Sequence, residues 1–159
     1  MAEHSTVAVT VAEEPLGIVQ RDAEVLFRRH WREVATHRDA VPLDIDWTLY
    51  RLLAEAKILR IWCARDGRGE LVGYCAWFVR TSHPHYRSTA WAQNDVFYVE
   101  PGARGAAIGK ALLEASLAGM RPAEGRMKVQ IHAKVTHDFQ PLAEACGFRW
   151  IEKIYERLI

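Results

Sequence analysis

Within the stretch DVFYVEPGARGAAIGKALLE, Asp95 to Glu114, the hydrophobic period changes once, and that change constrains the fold more than any other feature. TAWAQNDVFYV, Thr89 to Val99, is a β-branched and aromatic run that reads as a long strand ending at Glu100-Pro101-Gly102. Beyond it Ile108, Leu112, Ala115 and Gly119 recur on one helical stripe. Between the two lie Gly102, Gly105, Ala106, Ala107 and Gly109, which put little side chain in the way of an approaching ligand. A helix N-terminus leaves its first N–H groups unpaired and carries roughly half a positive charge, so a small-residue turn lets it hold phosphate. Arg104 and Lys110 add positive charge beside a bound diphosphate, and the strand-turn-helix reads as a pyrophosphate cradle. The competing reading is a turn whose glycines serve backbone angles alone. GxGxxG is absent, and Ala111 after Gly109-Lys110 excludes the Walker loop GxxxxGK[ST].

The 159 residues suit one domain spanning 1–159. Half are apolar, with six Trp, a composition able to fill a core. Formal net charge is +1, which argues against a nucleic-acid partner; Arg28, Arg29, Arg32 and Arg38 form only a local basic bias. No apolar run approaches the ~18 to 20 residues of a membrane span, and the first residues lack a signal-peptide pattern, so no membrane association and a cytoplasmic location are expected. Cys63, Cys75 and Cys146 are odd in number and lack CxxC spacing, which reads as reduced core thiols rather than a zinc site.

Alternation in Ser5–Val11 predicts a first strand, and apolar steps of three and four predict a helix over Pro15–Ala35. Asp46 is placed to cap a second helix whose stripe is Leu49, Leu52, Leu53 and Ala56. Two strands around Asp66-Gly67 make a hairpin over 59–80. A strand at 127–135, a short helix at 139–146 and a closing strand at 149–158 complete the order β-α-α-β-β-β-α-β-α-β. That order defines an α/β (α+β) domain with a mixed, mostly antiparallel sheet flanked by helices.

YVEPGARGAAIGKALLE, Tyr98 to Glu114, resembles the shared motif of the GCN5-related N-acetyltransferases, GNAT. That motif is Arg or Gln, two residues, Gly, one residue, then Gly or Ala. Arg104 and Gly109 match it, and Ala107 stands where the first motif glycine falls. Alanine takes helical angles without strain, so binding is expected to survive the exchange. The two early helices, the hairpin and the final AEACGFRWIEKIYERLI extend the resemblance over nearly the whole chain. HPHYRS, DVFYV and THDFQPLAEACGF look most like a branch common in phage and prophage genes.

The resemblance implies acetyl-CoA as acyl donor, bound by Phe97, Tyr98 and Val99 at the end of the motif strand and by Arg104, Gly105, Ala106, Ala107, Ile108, Gly109 and Lys110 in the loop and first helical turn. It implies direct attack of a primary amine, of a small molecule or a protein, on the thioester. Such an amine must lose a proton, and Asp95 is the expected base, taken to share a face with Phe97 and Val99 by the strand's period of two. His83 and His85, in the loop before the strand, are candidates for substrate contact or proton relay, with an ordinary turn as the alternative. Many relatives carry a leaving-group tyrosine four residues before the closing Gly-Phe; here Ala143 occupies that place, leaving Tyr98, Tyr155 or water as donors. His137-Asp138 reads as a helix cap. A homodimer is an admissible assembly. The alternatives are an acyl-CoA binder without catalysis and a phage-type enzyme modifying a nucleic-acid base.

Overall fold

The structure is a computed structural model that describes residues 9–104 and 106–159. Five strands form one sheet in the order β1-β2-β3-β4-β5: Thr10–Glu13, Leu59–Arg65, Leu71–Arg80, Thr89–Val99 and Arg126–Gln130. Neighbours are antiparallel except β4 and β5, which run parallel. The helices are α1 (Leu16–Val34), α2 (Trp47–Glu55), α3 (Ala106–Met120) and α4 (Gln140–Ala145). Of the expected first strand, residues 5–8 lie outside the described residues.

α1 buries Leu16, Val19, Ala23 and Leu26, the stripe its spacing predicts. With α2 it covers one sheet face, where Leu59, Ile61, Tyr74, Ala76 and Tyr98 pack. α3 covers the other with Leu112, Leu113 and Met120 against Trp62, Cys75, Trp77 and Ala92. In α2, Asp46 caps as expected, its carboxylate accepting from the Leu49 N–H at 2.8 Å. The buried side of that helix differs from the expected stripe: Trp47, Tyr50, Leu53 and Ala54 face the core, and Leu49 and Leu52 are exposed. Phe27 decides this, because the Trp47 ring stacks on it at 5.7 Å and fixes the helix rotation. In the hairpin turn the positive φ, +81°, falls at Gly69 rather than Gly67, since the Asp66 carboxylate accepts from the N–H groups of Arg68 and Glu70 and forms the bend itself.

β5 ends at Gln130, short of the expected residue 135, and 149–158 form no strand. The closing segment carries its apolar residues at Trp150, Ile151, Ile154, Tyr155, Leu158 and Ile159, all exposed.

Gly119 packs where no side chain fits, an added Cβ lying 2.7 Å from Cζ2 of the buried Trp62 ring. Gly119→Ala is expected to lose about 1–3 kcal/mol to overpacking, against at most about 1 kcal/mol regained in helix propensity. Urea denaturation should therefore show a net loss of stability; a net gain would place the helix end away from Trp62.

Candidate active site

Two adjacent polar residues interrupt β4. Asn94 faces Trp77 in the register, and Val96 faces Ala76, so Asp95 is an extra residue with no partner on β3, a β-bulge. The bulge inverts the alternation of side chains. Ala92 lies on the α3 side and Val96 and Tyr98 on the α1/α2 side, while Phe97 and Val99 return to the α3 side. Asp95 reaches Tyr50 of α2, whose hydroxyl donates to its carboxylate. The expectation that Asp95 shares a face with Phe97 and Val99 is thus corrected: the bulge puts it on the opposite face, beside Val96 and Tyr98.

Asn94 ends the pairing of β4 with β5. The ladder covers only Thr89–Gln93 against Arg126–Gln130. One residue later the Asn94 side chain takes over, its carbonyl accepting from the His132 N–H at 2.6 Å and its amide donating to the His132 carbonyl at 3.3 Å. Beyond that clamp β4 continues to Val99 without β5. The Glu100 N–H donates to Val72 O at 2.9 Å, which sets the phase of the β3–β4 ladder. By antiparallel alternation Tyr98 and Val96 bond to β3, and Phe97 and Val99 turn their N–H and C=O groups into the open edge. The Val99 carbonyl accepts from Arg104 Nε at 2.9 Å.

The mouth of this split adjoins the start of α3. The Phe97 ring lies 3.4 Å from the position of a Cβ on Gly109, and Leu142 of α4 lies 2.9 Å from it, so packing alone requires glycine at 109. Ala107 is exposed in the first turn of α3 and its φ is not positive, which accounts for alanine in place of glycine. Ile108 is half-buried against the α3-side core. Ala106 opens the helix; Gly105 lies outside the described residues. Lys110 is exposed and pairs with Glu114 at 3.5 Å. Arg104 is exposed but held: Glu33 of α1 pairs with it at 2.5 Å, and its guanidinium lies over the Tyr98 ring at 5.5 Å. Glu33 also meets His137 Nε2 at 3.1 Å, tying α1 to the turns before α3 and α4. The expected cap at Asp138 is shifted: the N-cap of α4 is Phe139, which makes no side-chain cap bond, and the Asp138 carboxylate one residue earlier accepts from the Gln140 N–H at 2.9 Å.

Burial pushes the Asp95 carboxyl above the usual carboxylate range, and the Tyr50 hydroxyl offsets this only in part. Burial and then the Asp95 charge raise Tyr50 in turn. Tyr98 is buried, and burial raises its phenol above the ordinary value. His30 stacks on Tyr98 at 4.6 Å and shares a hydrogen bond with the Tyr74 hydroxyl at 2.9 Å; burial depresses its pKa to about 4. Sequence patterns gave no sign of Tyr50, Glu33 or Tyr74, because each joins the site by tertiary packing; His30 lies on the apolar stripe of α1, which places it in the core but not beside Tyr74 and Tyr98. Asn94 was visible as a polar break beside Asp95.

His83 and His85 are not brought to Asp95. Their rings lie 5.5 Å apart, and His83 packs 6.0 Å from Trp91, four residues upstream on β4. Among the described residues no three His, Cys, Asp or Glu side chains gather at metal-binding distance. Cys63 and Cys75 are buried and free. Tyr155 is exposed, and no helix among the described residues is long and apolar enough to cross a membrane.

A parallel strand pair that opens beyond a polar clamp, facing a small-residue helix start, agrees with the comparison by family. Residues 57–150 match the model of the acetyltransferase (GNAT) domain, and the chain belongs to that family. No protein of curated function matches the chain. Among solved structures it is similar to a ribosomal-protein-alanine N-acetyltransferase from Brucella melitensis biovar Abortus (TM-score 0.66, 21% identity, 96% of this chain and 99% of that one). It is also similar to glucosamine-6-phosphate N-acetyltransferase from Arabidopsis thaliana (TM-score 0.70, 12% identity, 95% and 98%). A predicted acetyltransferase from Clostridium acetobutylicum, crystallised with acetyl-CoA, matches at TM-score 0.63 and 14% identity over 95% and 96% of the two chains. At such identities these likenesses speak to fold.

Two titrations check the electrostatics. His30 binds fewer protons folded than unfolded between its depressed value of about 4 and the ordinary 6.5. Stability should therefore rise with pH across that window, by up to about 3 kcal/mol, and His30→Asn should flatten the slope. Asp95 has the opposite sign, its raised pKa making stability fall as pH rises through it. Tyr50→Phe should move the Asp95 carboxyl titration, followed by carbon NMR, further upward; a downward move would show that the hydroxyl does not donate to it.

Proposed function

We propose that the protein transfers an acetyl group from acetyl-CoA to a primary amine by direct attack, with Asp95 as general base. The observation that carries this reading is the open β4 edge, where unpaired N–H groups of Phe97 and Val99 meet the N-terminal turn of α3. Bound acetyl-CoA would supply an activated acyl group as its thioester.

The residues fit that donor. The first-turn N–H groups of α3, with no large side chain over the exposed Ala107, suit a diphosphate. The Phe97 and Val99 N–H groups are the donors aimed at an acyl oxygen, and a preorganised donor of this kind contributes about 2.7–4 kcal/mol in a well-studied hydrolase. Asp95 lies on the other face of the same strand, where α1 and α2 stand off from β5. Its raised pKa brings it nearer to the range in which a carboxylate accepts a proton from an amine. The C–N bond forms as the C–S bond breaks, and the amine proton passes to Asp95. A thiolate is a stable leaving group, so the place of Ala143 in α4 demands little replacement; Tyr98 retains its proton at neutral pH and is the phenol on the base's side of the strand.

Ala107→Glu tests the donor site while sparing the fold. A carboxylate in an exposed first turn favours the helix by about 0.3–1 kcal/mol yet repels a diphosphate. Calorimetric titration should show acetyl-CoA binding by the wild type and its loss in the variant, with unchanged or higher melting temperature. Absence of binding by the wild type would overturn the reading. Asp95→Asn should bind acetyl-CoA normally and transfer acetyl to an accepted amine, with release of CoA, about 10²–10⁴-fold more slowly; unchanged turnover would remove Asp95 from the chemistry, and binding without turnover for any amine would favour a non-catalytic binder.

A further inference from the structure

The α1/α2 face of the sheet continues past the two helices onto the start of β4 and onto β5. Register places Arg80, Trp91 and Lys128 side by side there, and Phe78, Gln93 and Gln130 in the next row. Arg80 and Lys128 are exposed, and neither pairs with a carboxylate among the described residues. Aromatic rings hold them instead: the Arg80 guanidinium lies 5.6 Å over Trp91 and the Lys128 ammonium 4.7 Å over Tyr86. Residues 71–94 and 125–137, which build this end of the face, contain Arg80, Arg87, Arg126, Lys128 and Lys134 and no Asp or Glu. A chain of net charge +1 has therefore separated its charges, with the nearest carboxylate on this strand face being Asp95 itself.

Trp91, Gln93 and Asp95 follow one another along the same face of β4. Gln93 is fixed by His132 Nδ1 at 3.1 Å, and Trp91 donates from Nε1 to Gln130 at 3.0 Å, so the row between the cations and the base is ordered and polar. Four residues of strand separate Trp91 from Asp95, about 13 Å.

We propose that this row is the acceptor track, and that the acceptor is an elongated amine carrying a phosphate or carboxylate about 13 Å from its nucleophilic nitrogen. The anion sits on Arg80 and Lys128, both able to form charge-assisted hydrogen bonds, and the nitrogen reaches Asp95. This rests on the acetyl-transfer reading above and adds the substrate's charge and length to it. An amine of that form matches the two charged ends of the track, whereas a polyanion would meet Asp95 at one of them.

The probes are amidated tetrapeptides with a free α-amine, identical but for alanine, aspartate or phosphoserine at the fourth position. They are supplied with acetyl-CoA at low salt while CoA release is followed, and the Trp91 indole resonance is followed in CoA-loaded protein by nitrogen NMR. The aspartate or phosphoserine probe should exceed the alanine probe about tenfold in kcat/KM, or should shift Trp91 where the alanine probe does not if none is acetylated. Aspartate and phosphoserine separate carboxylate from phosphate recognition. The double variant Arg80→Gln, Lys128→Gln should abolish the difference and leave the alanine probe unchanged. Equal handling of all three probes, an equal loss for all three in the variant, or no movement of Trp91 would overturn the proposal, as would tighter, salt-dependent binding of a single-stranded oligonucleotide at Trp91. Shifts of the Ile108 and Gly109 amides on adding CoA report the donor site separately, so loss of the track and loss of the acetyl-transfer reading give different spectra.

Discussion

Everything distinctive about this site depends on the paired interruption of β4 at Asn94 and Asp95. At Asn94 and Asp95 the strand is packed from both sides and has little tolerance for polar side chains, and each of these is accommodated by a specific partner. Asn94 satisfies both backbone groups of His132 and so replaces the next rung of the β4–β5 ladder with a side-chain rung. Asp95 has no partner on β3, bulges, and is met by Tyr50. The first change frees the backbone edge of Phe97 and Val99; the second turns a carboxylate to the face opposite their side chains. In the proposed reaction, donor chemistry and acceptor chemistry fall on two sides of one strand.

The surrounding packing serves this division. α3 approaches β4 closely because Gly109 leaves room for Phe97 and Leu142, and its first turn then ends beside the open edge. On the other side His30 of α1 and Tyr50 of α2 join Tyr74 of β3 and Tyr98 of β4 in a layer of rings beside Asp95, whose burial keeps His30 neutral and the phenols protonated at neutral pH. Glu33 links α1 to Arg104 and His137, so the two sides are joined at the strand's end by one carboxylate.

Much of the architecture was legible in the sequence because it rests on local rules. The bounds of β4, the cap at Asp46, the hairpin and the α1 stripe follow from period, turn chemistry and capping. The strand-turn-helix also announced the family. What escaped reading was set by distant contacts: the rotation of α2 by Phe27, and above all the bulge, which a period-two count along β4 cannot register. Alternation counted back from Phe97 assigns Asp95 to the wrong face for that reason. His83 and His85 precede the motif strand in sequence but pack at its far end, because an extended strand carries sequence neighbours apart quickly.

The central claim is that β4 carries free backbone donors at Phe97 and Val99 while Val96 and Tyr98 are bonded to β3. Residue-resolved amide hydrogen exchange, with and without acetyl-CoA, tests it most directly. The account predicts that Phe97 and Val99 exchange much faster than Val96 and Tyr98 in the free protein and become protected on adding acetyl-CoA. Equal protection of all four in the free protein would mean that the edge is closed, and would contradict it.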